Sequence, residues 1–206
     1  MSILVVHPGA YYHIESFESA RYAGYFDARV RPEDLPETDL SLHNVVLIPC
    51  RTAADRMQPH IAQLQAYLDG GGTIVATGES ESQLFLPSIT FTPQPTNFWW
   101  WLTPGADLGV RIAAPDHALF AHLGQRDITW HLHGWFDPPA GAEVLAVNGE
   151  GKPILYVDDV STAGRMVITS LDPFFHHGSH FMPATTRFLD GFLPWMRSEL
   201  DQKVHK

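Results

Sequence analysis

The chain has 206 residues, 45% of them hydrophobic and 17% charged, with a formal net charge of −10. That much apolar material is enough to bury a core, which excludes a disordered chain, and the scattered Lys and Arg form no basic stripe for nucleic acid. The lone Cys50 cannot make an internal disulfide, the N-terminus carries no basic-then-apolar leader, and no apolar run approaches the roughly 18 residues of a membrane span, so a cytoplasmic chain without a membrane partner is expected.

In chain order, Ile3–Val6 is a continuous apolar run, β-branched except at Leu4, that predicts a strand buried on both faces, stopped by His7-Pro8-Gly9. Residues 16–25 predict a helix with Phe17, Ala20, Tyr22 and Ala23 inward, and 27–30 a short strand. Val45–Ile48 predicts another buried strand. Residues 59–68 predict an amphipathic helix with Ile61, Leu64, Tyr67 and Leu68 on one stripe, ended by Gly70-Gly71-Gly72 and followed by a strand over 73–76. This alternation implies a parallel sheet with right-handed crossovers.

Five prolines between Pro87 and Pro115 argue against long helices there, and the stretch of about 81–126 is expected to be an irregular insertion within one domain covering 1–206. Trp99-Trp100-Trp101 falls between prolines; it is read as a core plug, with a sugar-stacking platform or a subunit contact of a homo-oligomer as alternatives. A short helix is expected over 117–123. Strands are expected over 127–136, Glu143–Val147, 153–157 and Arg165–Thr169, and a closing helix over 185–200 carries Phe188, Leu189, Phe192 and Trp195 inward.

Three segments resemble a known family. They are residues 64–79, running from Leu64 through the glycine triplet to Thr77-Gly78-Glu79; Asp116-His117-Ala118-Leu119-Phe120; and residues 164–172, from Gly164-Arg165 to Asp172. Together they are similar to class I glutamine amidotransferase-like domains, closest to the ThuA-like (trehalose-utilisation) group and the trimerisation domain of some β-galactosidases. The resemblance implies a flavodoxin-like three-layer α/β/α fold with a mostly parallel central sheet. Such enzymes carry a Cys nucleophile on a strained turn between strand and helix, in a G-x-C-x-G context. The matching turn here, Thr77-Gly78-Glu79-Ser80, has no Cys, and Asp172-Pro173-Phe174-Phe175-His176 stands where the family has His-x-Glu. A domain without glutaminase activity is therefore expected.

Ligands in open parallel sheets bind beyond the carboxyl ends of the strands. Those ends carry His7, Cys50, Arg51, Glu79, Ser80 and, after the last strand, Asp172, His176 and His177. His7, Cys50, Arg51, Ser80 and Asp172 are expected to line a pocket for a small polar or carbohydrate-derived molecule, with Glu79 and His176 as candidate acid or base. The alternative is ordinary loop polarity, and for Cys50 a small buried apolar residue. His131 and His133 alternate, so on a strand they share a face. With His177, and with His176, His180 and Asp172 in the loop after the last strand, they offer a zinc-type ligand set, the basis for a metal-dependent hydrolase or isomerase as the alternative function; the competing reading is aromatic-rich rim histidines with no metal.

Overall fold

The computed structural model describes residues 2–95 and 98–200. Its elements are β1 (Ile3–Val6), α1 (Tyr11–Glu18), β2 (Ala28–Val30), β3 (Val45–Ile48), α2 (Ala54–Met57), α3 (Ile61–Asp69), β4 (Thr73–Thr77), β5 (Phe91–Pro93), β6 (Arg111–Ile112), α4 (Gln125–Ile128), β7 (Gly134–Phe136), β8 (Glu143–Val147), β9 (Pro153–Asp158), β10 (Arg165–Thr169), α5 (Pro173–Gly178) and α6 (Pro183–Glu199).

Eight strands form one sheet in the order β2-β1-β3-β4-β10-β9-β8-β6. The pairings from β2 to β10 are parallel; β10-β9, β9-β8 and β8-β6 are antiparallel. The continuous apolar runs have the expected cause. Ile3, Val5, Val45, Leu47, Val75 and Val167 face one core with Phe17 of α1, Phe174 of α5 and Phe188 and Phe192 of α6. Leu4, Val6, Val46, Ile48, Ile74 and Ile168 face a second core with Leu64 and Leu68 of α3. Alternate residues thus feed opposite layers, and the architecture is the flavodoxin-like α/β/α sandwich with a mostly parallel sheet.

Several expectations need correction. The first helix is α1, earlier than 16–25, and only a 3-10 turn occupies Ala23–Tyr25. Ile61 is exposed, because α3 starts there and the preceding 3-10 turn at Gln58–His60 rotates it outward. The strand expected over 127–136 divides into α4, an irregular stretch at 129–133 and β7. Strand β7 lies outside the main sheet and pairs with β5; a Cβ on Gly134 would come 2.3 Å from the Thr92 carbonyl oxygen, so only glycine lets those strands meet. The loop expected at 176–180 begins as α5. The tryptophan run is no core plug: Trp99 is 55% and Trp101 58% exposed. Among the described residues no helix is long and apolar enough to cross a membrane.

Candidate functional site

Strands β3, β4 and β10 end side by side, and their connecting turns are tied together. Arg51 N–H donates to the Glu79 carbonyl (2.9 Å) and Gly78 N–H to the Thr169 carbonyl (2.7 Å). Cys50 N–H donates to Thr77 Oγ1 (2.9 Å). Arg51 (φ 61°), Gly78 (φ 60°) and Glu81 (φ 51°) at this edge sit in the left-handed region. For Arg51 that conformation costs on the order of 1–2 kcal/mol, strain of the kind that gathers at functional sites.

Asp172 follows β10 and precedes Pro173, the first residue of α5. Its side chain makes no cap hydrogen bond to the helix, although aspartate favours that role. It turns instead into the interior, fully buried, where three imidazoles meet it. His133 Nε2 lies 3.1 Å from Oδ2, His176 Nε2 3.1 Å from Oδ1, and His131 Nε2 3.5 Å from Oδ1. His131 and His176 approach each other at 2.6 Å, again Nε2 to Nε2. The helix explains His176: four residues after Asp172, it shares that residue's face. His131 and His133 are two apart in the extended stretch before β7, so both still point one way.

Neither Asp172 oxygen has a partner in hydrogen-bond geometry among the described residues, and neither has His133 Nε2. Burial by itself would push the Asp172 carboxyl up; imidazoles that turn a proton towards it, or carry positive charge, outweigh burial and hold the group well below the usual carboxylate range, whereas an imidazole facing it with a lone pair would not. Burial pushes His131 down, against the opposing pull of Asp172.

A second layer surrounds this cluster. Glu79 Oε1 is 2.9 Å from His133 Nδ1 and Glu79 Oε2 is 3.1 Å from Arg51 Nη2. The Arg51 guanidinium also lies 3.7 Å from Asp172 Oδ2 and 3.7 Å above the Phe175 ring. A carboxylate only accepts, so the proton on the first contact belongs to His133 Nδ1. In the neutral ring Nε2 then aims a lone pair at the Asp172 carboxylate. Two acceptors facing each other at that distance require positive charge between them, a proton or a metal ion.

The donor set fits a metal. The four ligand atoms of His131, His133, Asp172 and His176 all lie within 4.8 Å of one another. Tetrahedral zinc with bonds of roughly 2.0 Å spaces its ligands about 3.3 Å apart. The four contacts among them, 2.6 to 3.5 Å, lie around that spacing, and the widest separation in the set, up to 4.8 Å, would have to close by about 1.5 Å on a bound ion. Beside the cluster opens a cavity of about 450 Å³ lined by Arg51, Gly78, Glu79, Glu81, Gln83 and His133.

The other expected site residues lie elsewhere or serve the scaffold. His177 is turned away from Asp172, with Nδ1 2.8 Å from Thr186 Oγ1, because neighbouring residues on α5 point about 100° apart. His180 is exposed beside Glu15. His7 ends β1 at the same sheet edge, yet its Nδ1 accepts from Gly9 N–H (3.0 Å) and it lines a separate cavity of about 210 Å³. Ser80 is buried at the β4 turn and does not line the larger cavity. Cys50 is buried; desolvation first, and the nearby Asp172 charge second, push its thiol up, so it stays protonated. Its Sγ accepts from Phe175 N–H at 3.4 Å.

The turn after β4 also shows why no nucleophile stands there. Its left-handed residue is Gly78, and a Cβ would lie 2.4 Å from Asp172 Cβ and 2.5 Å from Cys50 Cβ. Sequence reading flagged the absent Cys at this turn but not the absence of room for one. It also missed His13, a fully buried imidazole whose Nε2 lies 2.9 Å from the Cys50 carbonyl oxygen.

No protein-family model matches the chain, and no curated protein matches it in sequence. Solved structures do match in shape. A GMP synthase-like protein from Thermoplasma acidophilum aligns over 98% of both chains at 14% identity with a TM-score of 0.58. A glutamine amidotransferase from Thermotoga maritima aligns over 98% of this chain and 86% of its own, at 11% identity and a TM-score of 0.52. The exo-β-1,4-mannosidase Op5Man5 from Opitutaceae bacterium strain TAV5 aligns over 96% of this chain at 15% identity and a TM-score of 0.55; the chain spans only 36% of that enzyme's length. At these identities the likeness is one of fold alone, shared with a glutamine amidotransferase and with part of a mannosidase.

Proposed function

We propose that this is an amidotransferase-fold domain without glutaminase chemistry that holds a zinc-class divalent cation on His131, His133, Asp172 and His176 and takes a small polar ligand in the adjoining cavity. The observation that carries this reading is the convergence of three Nε2 atoms on one buried carboxylate that has no hydrogen-bond partner among the described residues. The Arg51 guanidinium at 3.7 Å offsets part of the cost of burying that charge, and a cation bound by all four groups would remove the rest.

A bound cation would supply Lewis acidity at the cavity wall. The chain's own residues supply the rest. Glu79 accepts the Nδ1 proton of His133 and fixes the tautomer that turns Nε2 inward, as carboxylates behind metal-bound histidines do. Glu79 is 43% exposed, so it can also meet a ligand in the cavity. Arg51 is held over Phe175 with its guanidinium beside Glu79, where it can orient an oxygen-bearing ligand. Glu81 and Gln83 add hydrogen-bonding groups suited to hydroxyls, so a polyol or sugar derivative is the ligand class favoured. The fold likeness to part of a mannosidase is compatible with such a ligand.

Gly78 carries the other half of the reading. A side chain at Gly78 has no room for a thiol nucleophile, the neighbouring turn residues are Glu79 and Ser80, and Cys50 is a buried, protonated thiol. Elemental analysis of the purified protein tests the proposal: close to one zinc-class ion per chain is expected, lost in His176→Ala. Metal content near zero after purification without chelator and after incubation with zinc would defeat it, as would ammonia release from glutamine that disappears in Cys50→Ala.

A further inference from the structure

A second cavity, larger than the first at about 830 Å³, lies on the far side of the histidine cluster. Four of the chain's six tryptophans line it, Trp99, Trp100, Trp101 and Trp130, with Phe98 and Phe181. Its floor is α4 and the first turn of α6. Phe98 packs edge-on to His131 with ring centroids 4.7 Å apart, and Phe181 stacks near His176 at 5.8 Å, so these two rings wall the cavity off from the cluster.

The polar groups of the lining decide what fits. Gln125 is committed to the fold: its Nε2 donates to the Val110 carbonyl (2.8 Å) and Thr129 Oγ1 (2.9 Å), and its Oε1 accepts from Ile112 N–H. The Thr129 hydroxyl donates to the Gln125 carbonyl (2.7 Å), and Trp130 Nε1–H to the Asp127 carbonyl (2.9 Å). A saccharide needs several donors and acceptors for its hydroxyls; the acceptors of Gln125 and Thr129 are committed to the fold, and the other polar side chains of the lining, indole N–H groups and guanidiniums, are donors. Arg126 has no ion-pair or hydrogen-bond partner among the described residues. Arg187 is held at 3.4 Å by Asp127 through Nε. Aromatic walls with two guanidiniums at the rim suit a flat apolar body with one anionic head.

We propose that this cavity is a binding site for a planar aromatic anion, with the ring system laid against the surface that Trp99, Trp101 and Phe181 form by packing on one another (ring centroids 6.2 and 6.4 Å apart) and its carboxylate or similar group met by Arg126 and Arg187. The site does not depend on metal at the histidine cluster. A ring seated here lies against Phe98 and Phe181, and through them against His131 and His176.

The test is calorimetric titration of the full chain with naphthalene-2-carboxylate and with its uncharged isostere naphthalene-2-methanol, with tryptophan emission followed in parallel. Saturable binding of one carboxylate per chain is expected, with a clear change in emission. Arg126→Gln with Arg187→Gln should weaken the carboxylate about tenfold or more and leave the alcohol unchanged, which also shows that the cavity is intact. Should that pair fail to fold, Arg126→Gln alone touches no partner and should shift the carboxylate in the same direction. Trp99→Ala with Trp101→Ala should weaken both ligands. The proposal is overturned by an absence of saturable carboxylate binding, by equal affinity for acid and alcohol, by binding that survives loss of both tryptophans, or by self-association that buries Trp99 and Trp101 and excludes the probe.

Discussion

Glu79 and Asp172 grip one imidazole from opposite sides: His133 Nδ1 is 2.9 Å from Glu79 Oε1, and its Nε2 is 3.1 Å from Asp172 Oδ2. The first contact sets the tautomer and the second places the lone pair. Glu79→Gln keeps the shape but lets the amide present either a donor or an acceptor to Nδ1. Zinc affinity is expected to fall roughly 10- to 100-fold, with the fold retained. Competition titration against a chromogenic chelator measures it, and an unchanged affinity would show that Glu79 does not act through His133.

Gly78→Ala is expected to destabilise the protein by about 2–5 kcal/mol, from left-handed strain together with overpacking against Asp172 and Cys50. Urea unfolding gives the figure. Gly78→Cys should be at least as unstable and should release no ammonia from glutamine. A stable Gly78→Cys protein with glutaminase activity would mean that the turn has room after all.

The acid side of the stability profile should carry a signature of His13. Burial lowers its pKa from 6.5 to about 4, against the smaller raising effect of its contact with the Cys50 carbonyl. The unfolded chain therefore binds the extra proton first. Stability from this residue is complete above pH 6.5 and is lost as pH falls towards 4, by roughly 3 kcal/mol at most. Denaturation at a series of pH values should show wild type losing stability through that window faster than His13→Phe, which has no titrating ring at the site. Parallel losses would indicate that His13 contributes none of the slope.

Much of the sheet was legible because its signal is local. Ile3–Val6, Val45–Ile48 and, within Arg165–Thr169, Met166 to Ile168 are unbroken apolar runs, and such runs have few alternatives to a strand buried on both faces. Asp172 and His176 were legible as neighbours of a strand end. The choice between His176 and His177 was not, because it turns on whether six residues after Asp172 wind into a helix, and Pro173 at the first helical position is a weak signal. His131 and His133 were paired correctly for an incorrect reason: the two-residue alternation survives in an irregular extended stretch, although no strand of the main sheet carries them. The exposure of Trp99 and Trp101 could not be read, since an aromatic run looks the same as a core plug and as a cavity wall until its neighbours are known.

The most direct measurement is the melting temperature of chelator-treated protein with and without zinc, in wild type and in His176→Ala. A ligand bound only by the folded state stabilises it by about 2.7 kcal/mol at a hundredfold excess over its dissociation constant. Wild type should therefore melt several degrees higher with zinc, the gain should shrink as the solution is acidified and protons compete with the metal for its ligands, and His176→Ala should show little of it. A melting temperature unmoved by zinc, manganese or nickel in both proteins would contradict the metal centre and leave His133 as a protonated bridge between Glu79 and Asp172.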